Sequence, residues 1–244
     1  NGTEWSQEDK IVASDAAQGD FFGESVDIDG DYAIVGARGD QDGGYNSGSA
    51  YIFKRNGTEW SQEDKIVASD AAADDLFGWS VSISGDYAIA GARGGDDGGS
   101  AAGSAYIFKR SGTDWSQEDK IVASDAAQSD YFGMSVAISG DYAIAGAPYD
   151  DDGGSTAGSA YIFKRSGTDW SQEDKIVASD DAQGDQFGWN VDIDGDYAIV
   201  GAPMDDDAGY NFNSGSAYIF KRNGTDWSQE DKIVASDAAQ SDMF

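Results

Sequence analysis

Apolar and polar positions alternate with period two over short stretches, and the same alternation returns four times along the chain. In the first copy, residues 22–28 place Val26 and Ile28 on one face, as a half-buried strand does. Asp29-Gly30 follows as a tight hairpin signal. Residues 32–37 are small and apolar on both faces, which predicts an inner strand. A Gly-rich loop leads to a third strand at 49–54. Asn56-Gly57 is a second hairpin signal, before a fourth strand from about residue 58 to 68. No stretch carries the 3.6-residue period of an amphipathic helix, and the only prolines are Pro148 and Pro203.

The copies are in strict register. Trp-Ser-Gln-Glu-Asp-Lys-Ile-Val-Ala-Ser-Asp begins at Trp5, Trp60, Trp115, Trp170 and Trp227, identical each time. The first three steps are 55 residues and the last is 57, because its Gly-rich loop is two residues longer. Four antiparallel strands recurring every ~40–50 residues are the signature of a propeller blade. The expected fold is therefore all-β: four blades of four antiparallel strands, plus one extra strand. Residues 1–21 read as the lone outer strand of a preceding blade. Residues 22–76, 77–131, 132–186 and 187–243 are the four blades, and residue 244 opens a fifth repeat. Trp60, Tyr51 and Phe53 are large enough to fill the widening wedge between blades. Glu63, Asp64 and Lys65 on strand four are expected to blunt an exposed outer edge.

Composition narrows the chemistry. The chain of 244 residues carries 46 acidic and 15 basic side chains, a net charge of −31, with no His and no Cys. Disulfides, thiol nucleophiles, histidine bases and Cys/His metal sites are excluded. A surface this acidic repels phosphate, so no nucleic-acid partner is expected. No apolar run reaches the ~20 residues of a spanning helix, so no membrane insertion is expected.

Phe22-Gly23 with Gly36-Ala37, Phe132-Gly133 with Gly146-Ala147-Pro148, and Phe187-Gly188 with Gly201-Ala202-Pro203 resemble FG-GAP repeats. These build the integrin-alpha-type β-propeller and many secreted bacterial propellers. The resemblance spans the whole chain; Arg38 and Arg93 depart from it, standing where the motif has Pro. It implies an extracellular or cell-surface scaffold for adhesion or ligand binding, commonly with calcium.

The turns joining strands one and two, and three and four, are nearly constant, whereas the opposite rim varies. Its loops after strand two hold Asp40 and Asp42; Asp96 and Asp97; Asp150, Asp151 and Asp152; and Asp205, Asp206 and Asp207. Carboxylates on Gly-rich loops suit a hard cation, so these are the candidate calcium ligands. Asp20, Asp74, Asp75, Asp130 and Asp185 in the blade-to-blade links add to the acidity. The family's calcium loop between strands one and two is not carried over, because Asp27-Ile28-Asp29-Gly30 reads as strand and hairpin. Phe21, Trp79, Tyr131, Trp189, Tyr149 and Tyr210 on the same rim are the candidate ligand-binding residues. Arg38-Gly39-Asp40 spells an integrin-ligand tripeptide, and Asn1, Asn56 and Asn223 head Asn-Gly-Thr sequons.

The expected function is a non-enzymatic extracellular repeat scaffold for adhesion or structural assembly, with calcium as its candidate cofactor. A lectin-like propeller binding carbohydrate is the first alternative, and a carboxylate-based glycosidase the second. Protein ligands also suit a loop rim. The chain opens inside a repeat and holds five copies of strand four against four of each other strand. An open stack exposes apolar faces, so self-association is expected, either end to end or as part of a longer repeat protein.

Overall fold

The computed structural model describes residues 6–206 and 213–236. Among the described residues, sixteen strands form four sheets, each a four-stranded antiparallel meander in chain order, and no helix forms. Blade 1 contains β1 (Val26–Asp29), β2 (Tyr32–Ala37), β3 (Ser49–Asn56) and β4 (Glu59–Ile66). Blade 2 contains β5 (Phe77–Ser84), β6 (Tyr87–Ala92), β7 (Ser104–Ser111) and β8 (Asp114–Ile121). Blade 3 contains β9 (Ser135–Ser139), β10 (Tyr142–Ala147), β11 (Ser159–Ser166) and β12 (Asp169–Ile176). Blade 4 contains β13 (Asn190–Asp194), β14 (Tyr197–Ala202), β15 (Ser216–Asn223) and β16 (Asp226–Ile233). The all-β blade architecture is the expected one. The sheets do not close into a ring.

Strand one is shorter than its apolar alternation predicts. In blades 1, 3 and 4 the Phe-Gly pair lies ahead of the strand. Where a blade precedes, the pair marks a backbone crossing. The Phe-Gly segment of each later repeat runs against the preceding blade, where Gly48 bridges Phe77, Gly103 bridges Phe132 and Gly158 bridges Phe187. At this crossing a Cβ on Gly36 would overlap the carbonyl oxygen of Gly78, and Gly91 and Gly146 stand likewise against Gly133 and Gly188. The Gly-Ala of one repeat is thus the seat for the Phe-Gly of the next. Gly78, Gly133 and Gly188 take φ of 79°, 81° and 91°, which side chains rarely adopt.

The core lies between sheets. Strand one of each later blade packs on the blade before it, so Val81, Ile83, Val136, Ile138 and Ile193 are buried. Phe77, Phe132 and Phe187 are fully buried, each in edge-on contact with a Tyr and a Phe of its own strand three. Trp115, Trp170 and Trp227 close the outer part of the wedge, edge-on to Tyr32, Tyr87 and Tyr142 of the previous blade.

Strand four serves a different purpose from the edge blunting expected of it. A bulge between Ile52 and Phe53 sets Ile52 opposite Asp64 and Phe53 opposite Gln62, and it recurs in all four sheets. Beyond it the charges bond to neighbours. The Asp64 carboxylate accepts the Trp115 amide at 2.8 Å, and Asp119 and Asp174 accept those of Trp170 and Trp227.

Residues 6–13 form no strand, although they were expected to supply an outer one. The segment still reproduces a preceding blade's contacts: Asp9 accepts the Trp60 amide at 2.9 Å, and Ser14 donates its amide to Gln62 Oε1 at 2.9 Å.

Candidate functional site

The expected rim forms where the loop after strand two meets the link that enters the blade. Its acidic residues divide into three groups by partner. Asp40, Asp150 and Asp205 are buried beneath the rim, and each accepts the hydroxyl of a buried tyrosine: Tyr51 at 2.9 Å, Tyr161 at 2.5 Å and Tyr218 at 2.6 Å. Asp96, Asp151 and Asp206 close their own loops by accepting the amides of Ala101, Thr156 and Asn213. Asp42, Asp97 and Asp152 are exposed, and each meets a lysine of strand four. Asp207 and Tyr210 lie outside the described residues.

Among the described residues, two clusters bring carboxylates close enough to hold a metal ion. The ligand oxygens of Asp15, Asp40 and Asp42, and of Asp125, Asp150 and Asp152, lie within 4.8 Å of one another. In both, an ammonium group already sits among them. Lys65 Nζ is 2.7, 2.9 and 2.5 Å from Asp15, Asp40 and Asp42. Lys175 Nζ is 2.7, 3.0 and 2.6 Å from Asp125, Asp150 and Asp152. Calcium takes its oxygens at about 2.3–2.6 Å, so an ion on these same atoms would have to displace the lysine. The donor set fits a cation, and the chain's own side chain provides it.

Electrostatics agree with that geometry. Burial alone would raise the Asp40 pKa, but the Asp42 amide, Lys65 and Tyr51 together hold it below the ordinary carboxylate value. Burial opposes the charge on Lys65, and the three aspartates more than offset it, raising its pKa. Tyr51 is pushed up by burial and by its two carboxylate acceptors. Blade 2 departs from this pattern, because Gly95 stands where the other blades have the buried aspartate. A cleft of about 220 Å³ opens there beside Asp70, Tyr106 and Lys120.

The link aspartates Asp20, Asp75, Asp130 and Asp185 are also buried, and each accepts the amide three residues before it. Burial pushes Asp130 and Asp185 up to about 6, with the aspartates of the facing loop adding to the rise.

The aromatic candidates come together as one ladder along the inner rim. Arg38 lies over the Phe21 ring at 4.2 Å and over the Trp79 ring at 4.6 Å. Arg93 lies on Trp79 at 3.7 Å and beside Tyr131 at 5.1 Å. Tyr131 meets Tyr149 edge-on, and Tyr149 meets Trp189. Phe21 and Tyr131 reach these positions from a left-handed backbone, φ 55° each, which bulky residues seldom adopt. Arg38-Gly39-Asp40 is not displayed as a ligand tripeptide: Arg38 is stacked and Asp40 is 4 % exposed.

The sequence reading missed two functional sets. Lys65, Lys120, Lys175 and Lys232 belong to the string repeated without change, as do Asp15, Asp70, Asp125 and Asp180, which they bind. Their period-two placement after the bulge carries the signal, and the bulge hides it. Arg38 stood out as a departure from Pro and as the head of Arg38-Gly39-Asp40, and Arg93 only as a departure from Pro, yet both are rungs between the rings.

No curated protein matches this chain. The FG-GAP repeat does, over residues 5–53, 60–108, 115–163 and 170–220. Each match runs from the strand-four segment that precedes a blade to strand three of that blade, and together they cover most of the sequence, so the chain belongs to the FG-GAP repeat family.

Proposed function

We propose that this chain is a non-enzymatic repeat scaffold working outside the cell, in adhesion or structural assembly, and that each of its end faces takes another blade of the same kind. One observation carries the proposal: the two end faces are the two halves of an internal seam. Val26 and Ile28 are 64 % and 62 % exposed, whereas their counterparts Val81 and Ile83 are 5 % and 4 % exposed under a preceding blade. At the other end Ile199 is 38 % exposed, whereas Ile34, Ile89 and Ile144 are fully covered by a following one. A largely apolar cleft of about 320 Å³ lies there, beside Ile199 and Gly201.

The polar pattern matches too. Within the first seam the Asp27 carboxylate accepts Ser82 Oγ and the Ile83 amide, both at 2.8 Å, and Asp29 accepts the Gly85 amide at 2.7 Å. Asp192 and Asp194 hold the same positions on the open face of blade 4, set to accept the amides of Ile28 and Gly30 of an incoming blade. Rim lysines committed to carboxylates, with no His or Cys in the chain, favour a scaffold over an enzyme. Calcium enters this reading only as a competitor of those lysines.

Light scattering with two complementary variants tests it. Ile28→Asp closes the leading face and Ile199→Asp the trailing face. The parent chain should associate with rising concentration, each variant alone should stay monomeric, and an equal mixture should stop at dimers. A parent chain that stays monomeric without binding an exposed-surface dye overturns the proposal.

A further inference from the structure

Blades 1 and 2 each place an arginine after Gly-Ala, at Arg38 and Arg93. Both guanidinium groups stack between rings, but only one has an anion. Arg38 Nε donates to Glu24 at 2.6 Å. Glu24 is the residue that follows Phe-Gly in blade 1, and in blade 2 that place is Trp79. Arg93 therefore gains an aromatic face and loses the carboxylate. Among the described residues it makes no ion pair and no hydrogen bond, and its Nε is sealed from solvent. Arg38, Arg55, Arg110, Arg165 and Arg222 all bind a carboxylate. In a chain of net charge −31, an arginine without an acid is a local exception.

The surroundings sharpen the point. Burial is the main influence disfavouring the charge on Arg93; Tyr131 opposes it, Arg38 adds to it, and Tyr149 and Glu24 oppose it more weakly. Two guanidinium groups flank Trp79, and of the two only Arg38 is paired with the glutamate. Arg93 lines a cleft of about 400 Å³ together with Tyr131, Leu76, Asp74, Asp96 and Ser100. That volume lies within the range of small-ligand sites.

We propose that this cleft binds a carboxylate-bearing sugar, a uronate residue of an acidic glycan, with Arg93 taking the carboxylate that Glu24 supplies to Arg38. A guanidinium and a carboxylate form a paired, charge-assisted contact that a neutral sugar cannot make. The half-exposed Tyr131 ring offers a face to the C–H side of a pyranose. Asp74 accepts from Asn46 and Asp96 from the Ala101 amide, and each carboxylate keeps acceptor capacity for sugar hydroxyls. The same two carboxylates repel an anion without hydroxyls, such as sulfate. The site arises only at the junction of blades 2 and 3: blade 1 fills the need from within, and blades 3 and 4 carry Pro148 and Pro203 instead. It goes beyond the scaffold reading and does not depend on it.

Titration with sodium glucuronate at constant ionic strength, read by tryptophan fluorescence and by calorimetry, tests the proposal. Trp79 lies against Arg93, so its emission should change saturably. The neutral methyl ester and sodium sulfate should each bind at least about tenfold more weakly, the scale of losing one charge-assisted contact. Arg93→Gln should show the same loss. Trp79→Glu, which restores the blade 1 arrangement, should abolish glucuronate binding, and Trp79→Phe, which keeps a ring, should preserve it by calorimetry. Melting curves confirm that each variant is folded. No saturable response to glucuronate or to an oligoglucuronate overturns the proposal. So does equal binding of the methyl ester, or unchanged binding by folded Arg93→Gln.

Discussion

Gly146 and Gly201 hold the same place in consecutive repeats and live in different worlds. A Cβ on Gly146 would overlap the backbone of the next blade, whereas at Gly201 the nearest atom is 3.8 Å away. The difference lies wholly in the presence of a following blade. An internal seam is built from backbone contacts that no side-chain rearrangement can relieve, while the end face offers the same backbone to solvent. One motif thus has a structural role that becomes visible only when its neighbour is present.

Substituting these two glycines gives the largest contrast. Gly146→Ala should lower stability by about 3 kcal/mol or more, because blades 3 and 4 must part to admit the methyl group. Gly201→Ala should cost only about 0.5 kcal/mol in the monomer, as surface changes do. Denaturant midpoints measure both. Equal costs would mean that the seam yields as easily as the open face. Under the association proposed above, Gly201→Ala should also block end-to-end joining while leaving the monomer intact.

The rim clusters set a second contrast, between a tethered cation and a free one. Lys175→Met removes the ammonium from among Asp125, Asp150 and Asp152, one of which is buried. Breaking a fully buried pair costs about 3–5 kcal/mol and an exposed one below about 1 kcal/mol, so this half-buried cluster should lose about 1–2 kcal/mol. Calcium should restore much of that loss at fixed ionic strength, because the variant exposes a carboxylate set of the right span. The parent protein's melting temperature should not respond to calcium or to chelator. A marked calcium response in the parent would show the ion displacing the lysine.

The fold was legible because its signals are local and repeated: period-two strands, Asp-Gly and Asn-Gly turns, and a fixed spacing. The end of strand one was not: Phe132-Gly133 and Phe187-Gly188 lie ahead of β9 and β13, where they meet the preceding blade's backbone. Asp40, Asp150 and Asp205 were named among the rim aspartates, whose acidity suggested a metal. Their partner Lys65, Lys175 or Lys232 lies on another strand, beyond a bulge that shifts the register by one residue. Composition shows how many charges a chain carries, whereas pairing depends on which of them the topology brings together.

The smallest contrast is between two kinds of aspartate, and pH separates them. Asp130 and Asp185 have folded-state pKa values raised to about 6, by burial first and by nearby carboxylates second, from an ordinary value of 3.8. The folded state therefore binds their protons more tightly than the unfolded state. Their contribution favours folding below the ordinary value and is lost as pH rises through about 6. Asp40 and Asp125 behave oppositely, since the lysines and tyrosines that bind them outweigh burial and hold both below the ordinary value. Their contribution is present above the ordinary value and is lost as pH falls through their lower folded values. Stability should thus rise modestly from pH 7 to about pH 5, and decline once the rim carboxylates protonate. General relief of the −31 net charge on acidification also favours the compact state, so the parent curve alone does not isolate the two buried groups. Asp130→Asn combined with Asp185→Asn does: the double variant should lose part of the gain between pH 7 and pH 5 while keeping the decline at lower pH. An unchanged slope in that variant would place the whole effect in net charge and none in the links between blades.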